Sequence, residues 1–195
     1  VFQNWSITTD PAIEPVTTAE AKTHMRITSV ADDTYIGLLI TAARQWCEYY
    51  QNRAYIEQSI TMYMDDFPSV IYLPMAPAIS VTSVKYYNSA GTLTTLTAVT
   101  DYTVDVVSQP GRIYEAYDAS WPACRSIRNA VQVIYKAGYG AEAADVPATV
   151  KHAIKILVAT WYESRDAISD LKFNEVPFTV KALLDPDCMN NITFA

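Results

Sequence analysis

The sequence predicts an α+β chain: a small helical bundle with a β-sheet or sandwich subdomain inserted between the second and third long helices. Three observations carry this. Apolar residues recur at steps of three and four through 36–50 and again through 154–162, the spacing of one face of an α-helix. Between them, through much of 55–135, the period drops to two, the spacing of a strand. The regime changes once in each direction, so the β block interrupts the helical part. The boundaries are an N-terminal arm at 1–14, helical parts at 15–54 and 141–186 around a β subdomain at 55–140, and a tail at 187–195.

Taken in order, the arm has no clear period; it holds Phe2, Trp5, Ile7, Pro11 and Pro15, and reads as extended chain lying on its own domain or on a neighbour. Thr17 with Glu20 three residues later has the spacing of a capping box, which starts a short helix over 18–26. Asp32 and Asp33 then precede the first long helix, where acidic side chains complement the positive helix end. Its apolar stripe is Ile36, Leu39, Ile40, Ala43, Trp46, Cys47 and Tyr50, which leaves Arg44, Gln45 and Glu48 on the other face; Gln51 and Asn52 end it.

From Tyr55, the set Ile56, Gln58, Ile60, Met62 and Met64 shares one side of a strand. Asp65-Asp66-Phe67-Pro68 is a turn, and strands follow at 70–73 and 79–87. Asn88-Ser89-Ala90-Gly91 is a hairpin loop, its glycine suited to positive φ. Further strands fall at 92–98, 102–107, 112–114 and 130–135, with turns at Gln109-Pro110-Gly111 and a loop around Trp121-Pro122. Asp145-Val146-Pro147 starts the last long helix, with Ile154, Leu157, Val158, Trp161 and Tyr162 as its stripe; Val180–Leu184 is a short helix stopped by Pro186.

Composition bounds the function. Half of the 195 residues are hydrophobic and only 18% are charged, so the chain can bury a real core and is not a disordered segment. Fourteen Lys and Arg against 21 Asp and Glu leave a net charge of −7, which argues against a cationic nucleic-acid binder, although an acidic protein can surround DNA without gripping it. No apolar run reaches the ~20 residues of a membrane helix, and no basic-then-apolar secretory signal is seen. Cys47, Cys124 and Cys188 lie far apart, which reads as a reducing compartment with at most a single bridge. Fourteen Tyr and four Trp in a charge-poor chain suit either an interface core or a large aromatic interior.

Chemistry is sparse. His24 and His152 each stand alone on a helix without a metal-ligand partner at suitable spacing. Asp65-Asp66 is better explained as a turn than as a cation site. There is no phosphate-binding glycine loop and no nucleophile elbow, and Cys47 on an apolar face reads as core. Arg125 and Arg128 near Trp121 are a weak nucleic-acid signal. The expectation is a protein that is not an enzyme, with no cofactor and no metal.

A family resemblance rests on a series of short motifs in order. Pro15-Val16-Thr17-Thr18-Ala19-Glu20-Ala21-Lys22, Met25-Arg26-Ile27, Asp32-Asp33 and Ile36 through Ala43-Arg44 resemble the opening of the tailed-phage head–tail connector, or adaptor, family. Ile71-Tyr72-Leu73-Pro74, Pro77, Val81-Thr82-Ser83-Val84, Tyr86-Tyr87, Tyr102-Thr103-Val104-Asp105, Val131-Gln132-Val133 and Ala137-Gly138-Tyr139-Gly140 resemble the inserted β region of its longer members. Val146-Pro147, Trp161-Tyr162-Glu163-Ser164-Arg165 and Val180–Leu184 with Pro186 continue it, so the likeness spans 15–186.

The resemblance implies a structural virion protein in the neck, made in the host cytoplasm. It implies a ring, usually twelvefold, beneath the portal, which extends the DNA channel and joins the head to a stopper or tail-terminator protein. DNA passes without specific binding, and no membrane is involved. On this reading the portal-binding segment contains Phe178, Leu183, Leu184, Met189 and Phe194, while Leu183 and Leu184 have the alternative of packing on the chain's own helices. Arg44 and Arg165 are candidates for subunit–subunit ion pairs; exposed pairs contribute only ~0–1 kcal/mol and set register more than affinity. A second reading is a β-rich module that binds a glycan or other ligand on Tyr86, Tyr87 and Trp121.

Overall fold

A computed structural model of the chain describes residues 3–164 and 177–189. They form two compact units: residues 3–12 with Glu57–Tyr139, and Ile13–Ile56 with residues 140–164 and 177–189.

The second of these is helical: α1 Thr18–Met25, α2 Asp33–Gln51, α3 Ala148–Glu163 and α4 Phe178–Leu184. The capping box is formed as the sequence predicts. Glu20 N–H donates to Thr17 Oγ1, and the Glu20 carboxylate accepts from Thr17 N–H at 2.8 Å. Asn52, in the left-handed region at φ 54°, closes α2. α2 packs on α3, and α1 and α4 both pack on this pair. The core is Ile36, Ile40, Ala43 and Cys47 from α2, Val150, Ala153, Ile154, Leu157 and Val158 from α3, and Val180 and Leu184 from α4.

One expectation for α2 is corrected. Arg44 and Glu48 do not face solvent; both are buried, as is Gln51, while Leu39, Trp46 and Tyr50 are only half-buried. The buried arc therefore runs 36, 40, 43, 44, 47, 48, 51, and polar residues occupy one flank of it. They can do so because each has a partner there, which removes most of the desolvation penalty.

The other unit is all antiparallel β. Its strands are β1 Gln3–Thr9, β2 Gln58–Met64, β3 Val70–Leu73, β4 Ala78–Tyr87, β5 Leu93–Thr95, β6 Tyr102–Asp105, β7 Gly111–Glu115 and β8 Val131–Ala137. They make a five-stranded sheet in the order β1-β2-β8-β4-β5 and a three-stranded sheet in the order β3-β7-β6. Residues 3–9 of the arm are thus an edge strand, paired on β2 from Gln3↔Met64 to Thr9↔Ser59. The arm hid this because an edge strand with one solvated face needs little apolar alternation; Ile7 stays 37% exposed.

On β2 the predicted inward set Gln58, Ile60, Met62 and Met64 is buried, facing Ala137, Tyr135, Val133 and Val131 of β8. On β4 the plain alternation fails. Two register shifts bring Ala78, Val81, Val84 and Tyr86 opposite those same β8 residues, a spacing no strict period of two predicts. Gly91 sits at φ 85° in the hairpin loop, where Asn88 Oδ1 accepts from Thr92 N–H at 3.0 Å. The turn after β6 is organised by Asp105, which accepts from the Ser108 hydroxyl and N–H, from Arg112 and from Val107 N–H; these bonds hold its carboxyl well below the usual carboxylate range.

Candidate functional site

Of the residues the sequence marks for partner binding, Arg44, Phe178, Leu183, Leu184 and Met189 are described and belong to the helical unit, the last of them beside the C-terminal end of α2. There the chain that follows α4 is strapped to α2 by five hydrogen bonds. Gln51 Nε2 donates to the Leu184 carbonyl at 2.6 Å, and Arg53 Nε donates to the Asp187 carbonyl at 2.6 Å. Met189 N–H donates to the Gln51 carbonyl at 2.9 Å, and Cys188 Sγ to the Tyr50 carbonyl at 3.0 Å. Tyr50 Oη donates to the Asp185 carboxylate at 2.6 Å, which pushes the phenol up to about 12. The amide of Gln51 is itself aimed: its Oε1 accepts from the buried Tyr55 hydroxyl at 2.6 Å.

This clamp sorts the predicted portal-binding residues. Leu184 is fully buried in its own unit and Leu183 is half-buried, so for Leu184 the alternative of packing at home is the one the fold realises. Met189 is half-buried and held through its backbone. Phe178, at the start of α4, is 84% exposed. Phe194 lies outside the described residues, as does Arg165.

Arg44 is 4% exposed and sits between two carboxylates of its own chain. Its Nη1 donates to Glu48 at 2.6 Å and its Nε to Glu14 at 2.8 Å, while Thr41 Oγ1 donates to the other Glu14 oxygen. Glu48 Oε1 accepts from Tyr55 N–H at 2.9 Å. Burial pushes the Glu48 carboxyl up, against the opposing pull of Arg44 and the Tyr55 N–H. Burial alone would lower the Arg44 guanidinium; the Glu48 and Glu14 charges more than reverse this and raise it. The triad therefore holds Glu14 and Tyr55, which flank the first two helices in sequence, onto α2. The clamp roles of Tyr50, Gln51 and Arg53 are not legible in the sequence, where Tyr50 reads as part of the apolar stripe and 51–52 as a helix stop. Their partners lie more than 130 positions away, and no local pattern encodes that.

Elsewhere the fold joins residues that the sequence left separate. His24 and His152 meet edge to face across α1 and α3, ring centroids 5.8 Å apart. In the β unit, Trp121 stacks on Phe67 at 4.6 Å, and Phe67 also contacts Tyr86 at 5.9 Å, so ring faces of the proposed glycan platform are engaged internally. Asp65 accepts from Asn129 N–H and Arg128, a loop-closing role. All three cysteines are free, and burial, with Glu48 nearby, pushes the Cys47 thiol up to about 12. Among the described residues no three His, Cys, Asp or Glu side chains gather to hold a metal, and no helix is long and apolar enough to cross a membrane.

This fold recurs in solved particle necks. The chain is similar to a chain in the neck of an empty gene transfer agent particle computed with C6 symmetry, with a TM-score of 0.79 at 23% identity over 98% of both chains. It is similar to one in the virion of the native gene transfer agent particle, with a TM-score of 0.78 at 23% identity over 98% of both. A third, in the neck of the native particle computed with C12 symmetry, gives 0.71 at 23% identity over 100% of this chain and 99% of that one. No curated protein matches in sequence. By class the protein is a structural component of the virion that acts in completing the head. The chain belongs to the head completion protein family, whose sequence profile matches residues 14–174.

Proposed function

We propose that copies of this chain close into a ring at the neck, twelvefold as the connector resemblance implies, which continues the DNA channel below the portal and offers its far side to a stopper or tail-terminator protein. Similar chains occur in necks described with C6 and C12 symmetry, which supports a cyclic arrangement. A net charge of −7 suits a channel protein that must not retain DNA, since retention rests on cationic contacts that neutralise phosphate.

The observation that carries the reading furthest is the clamp. Five hydrogen bonds fix residues 184–189 on the end of α2 and on Arg53 just after it. A terminal segment whose root is held in one place loses less freedom on binding, which suits docking on the portal. Phe178 is an exposed apolar side chain in the same C-terminal region and joins it as a contact. Leu184 serves from inside, as packing. Arg44 contributes to the subunit contact indirectly, by holding the chain around Glu14 in place.

Two measurements test this. Quantitative mass spectrometry of purified tailed particles gives the ratio of this chain to the portal subunit; the expected ratio is near one, and a value far from it rejects the matched ring. Truncation after Met189 spares the clamp and removes only the segment beyond it. Loss of head attachment by an otherwise folded chain is expected, and unchanged attachment rejects the portal assignment.

A further inference from the structure

Both histidines and two of the 14 Lys and Arg residues of this acidic chain gather on one face of the helical unit. His24 of α1 meets His152 of α3, and Lys155, three residues on, lines an open cavity of about 420 Å³ with Ala19, Glu20, Thr23 and His24. Lys151 lies one turn before Lys155, and its Nζ donates to the Ala143 carbonyl at 3.1 Å. Among the described residues neither lysine forms an ion pair. Glu20 feels the charge of both, and its carboxylate is already engaged by the Thr17 N–H and hydroxyl. Two lysines outside any ion pair among the described residues thus lie on this face, in a protein of net charge −7.

Such a face fits an anionic partner. Duplex DNA is the weaker match, because phosphate binding needs several clustered cations and here two lysines share their face with a carboxylate. A second copy of the chain is the better match. A closed ring uses head-to-tail contacts, in which two different patches of each subunit must complement one another. The helical unit carries the opposite patch on the 3-10 turn Asp185–Asp187: both aspartates are exposed, Lys181 is the cation a turn before them, and the clamp holds the turn in place through Tyr50 and Arg53. One patch thus offers two lysines against a glutamate, and a second patch two aspartates against a lysine.

We infer that the Lys151–Lys155–His24–His152 face is one half of the subunit interface of the ring, and that it receives the Asp185–Asp187 edge of the neighbouring copy. The inference rests on the ring reading given above. Facing charges of this kind steer association and exclude wrong registers, and their mutual attraction weakens as salt rises.

A charge swap tests it. The double variant Lys151→Glu with Lys155→Glu, at two half-buried positions and checked for an unchanged circular dichroism spectrum, is expected to enter particle necks at least about tenfold less well than the parent. Adding Asp187→Lys to the same chain is expected to restore most of that loss. Entry of the double variant at the parental level overturns the proposal, as does a triple variant no better than the double. A third arm measures duplex DNA retention by the purified chain in low salt. Retention by the parent that the double variant loses, with ring entry unchanged, makes the face a DNA contact and sinks the second-copy assignment. These outcomes leave the ring itself standing. A parental chain found far from parity with the portal instead removes the ring, and the interface with it.

Discussion

The helical unit and the β unit of this chain keep their order by different physics. Among the described residues of the β unit the buried polar ones are Gln58 and Thr61, both uncharged, and the interior is otherwise built from side chains such as Ile60, Met62, Val84, Val131 and Val133 carried on paired antiparallel strands. The helical unit buries Arg44, Glu48, Gln51 and Arg53. Apolar burial is non-directional, and a sheet obtains its specificity from register. Helices that meet on apolar stripes alone leave the segments around them free, so this unit fixes those segments with directional bonds: Glu14 and Tyr55 by the ionic triad, Leu184 through Met189 by the clamp. The helical unit, whose C-terminal stretch is the one proposed for docking, is also the one that spends buried polar groups on holding its flanking segments.

That contrast can be broken most severely at Arg44. Arg44→Met leaves Glu48 and Glu14 without their cation, one of them fully buried, and is expected to cost about 3–5 kcal/mol in denaturant unfolding. Ile60→Ala in the β unit is the matched apolar lesion at about 2–5 kcal/mol. Replacing Arg44 and Glu48 together by apolar residues should recover much of the first loss, whereas no second substitution near Ile60 should do so without refilling the cavity. A double variant as damaged as the single would show that the triad is not the unit of stability.

The next test sharpens the difference between stability and presentation. Gln51→Leu removes the donor to the Leu184 carbonyl and the acceptor of the Tyr55 hydroxyl, with an expected cost of about 1–3 kcal/mol for polar groups left unpaired. Its distinguishing effect is local. Amide hydrogen exchange at Cys188 and Met189 should accelerate far more than at core amides of α3, and portal attachment should fall while ring formation persists. Uniform acceleration across α3 would demote Gln51 to an ordinary core residue.

The smallest effect concerns pH. Desolvation first, then His152 and Lys155, hold the His24 imidazole below its ordinary value of 6.5. The unfolded chain therefore binds the proton more readily than the folded one, and stability rises with pH through this window. The contribution is complete above about 6.5 and is lost as the pH falls towards the depressed folded value. His24→Gln should flatten the slope of stability between pH 7 and 5, read from unfolding midpoints, and an unaltered slope would assign it to other groups.

Much of this was legible along the chain. The capping box at Thr17 and Glu20, the stop at Asn52, the inward face of β2 and the Asn88–Gly91 loop follow from local rules about donors, backbone conformation and period. The failures are also physical. β1 was hidden because an edge strand needs no buried face on both sides. The alternation of β4 misled because two bulges reset its register against β8, and a bulge is chosen by the partner strand. Arg44 was placed outside because an isolated arginine prefers water; it goes inside only where Glu14 and Glu48 are both waiting.

The sequence by itself determined the class of fold, the order of its elements after the first strand and, through the motifs of 15–186, the connector family, because periodicity, capping and turn chemistry act over a few residues and survive without a partner. Tertiary structure alone decided which polar residues are buried, which of the predicted contact residues stay free, and where both histidines meet. Those outcomes depend on groups brought together from distant parts of the chain, and the desolvation and pairing energies that select them exist only once the chain has folded.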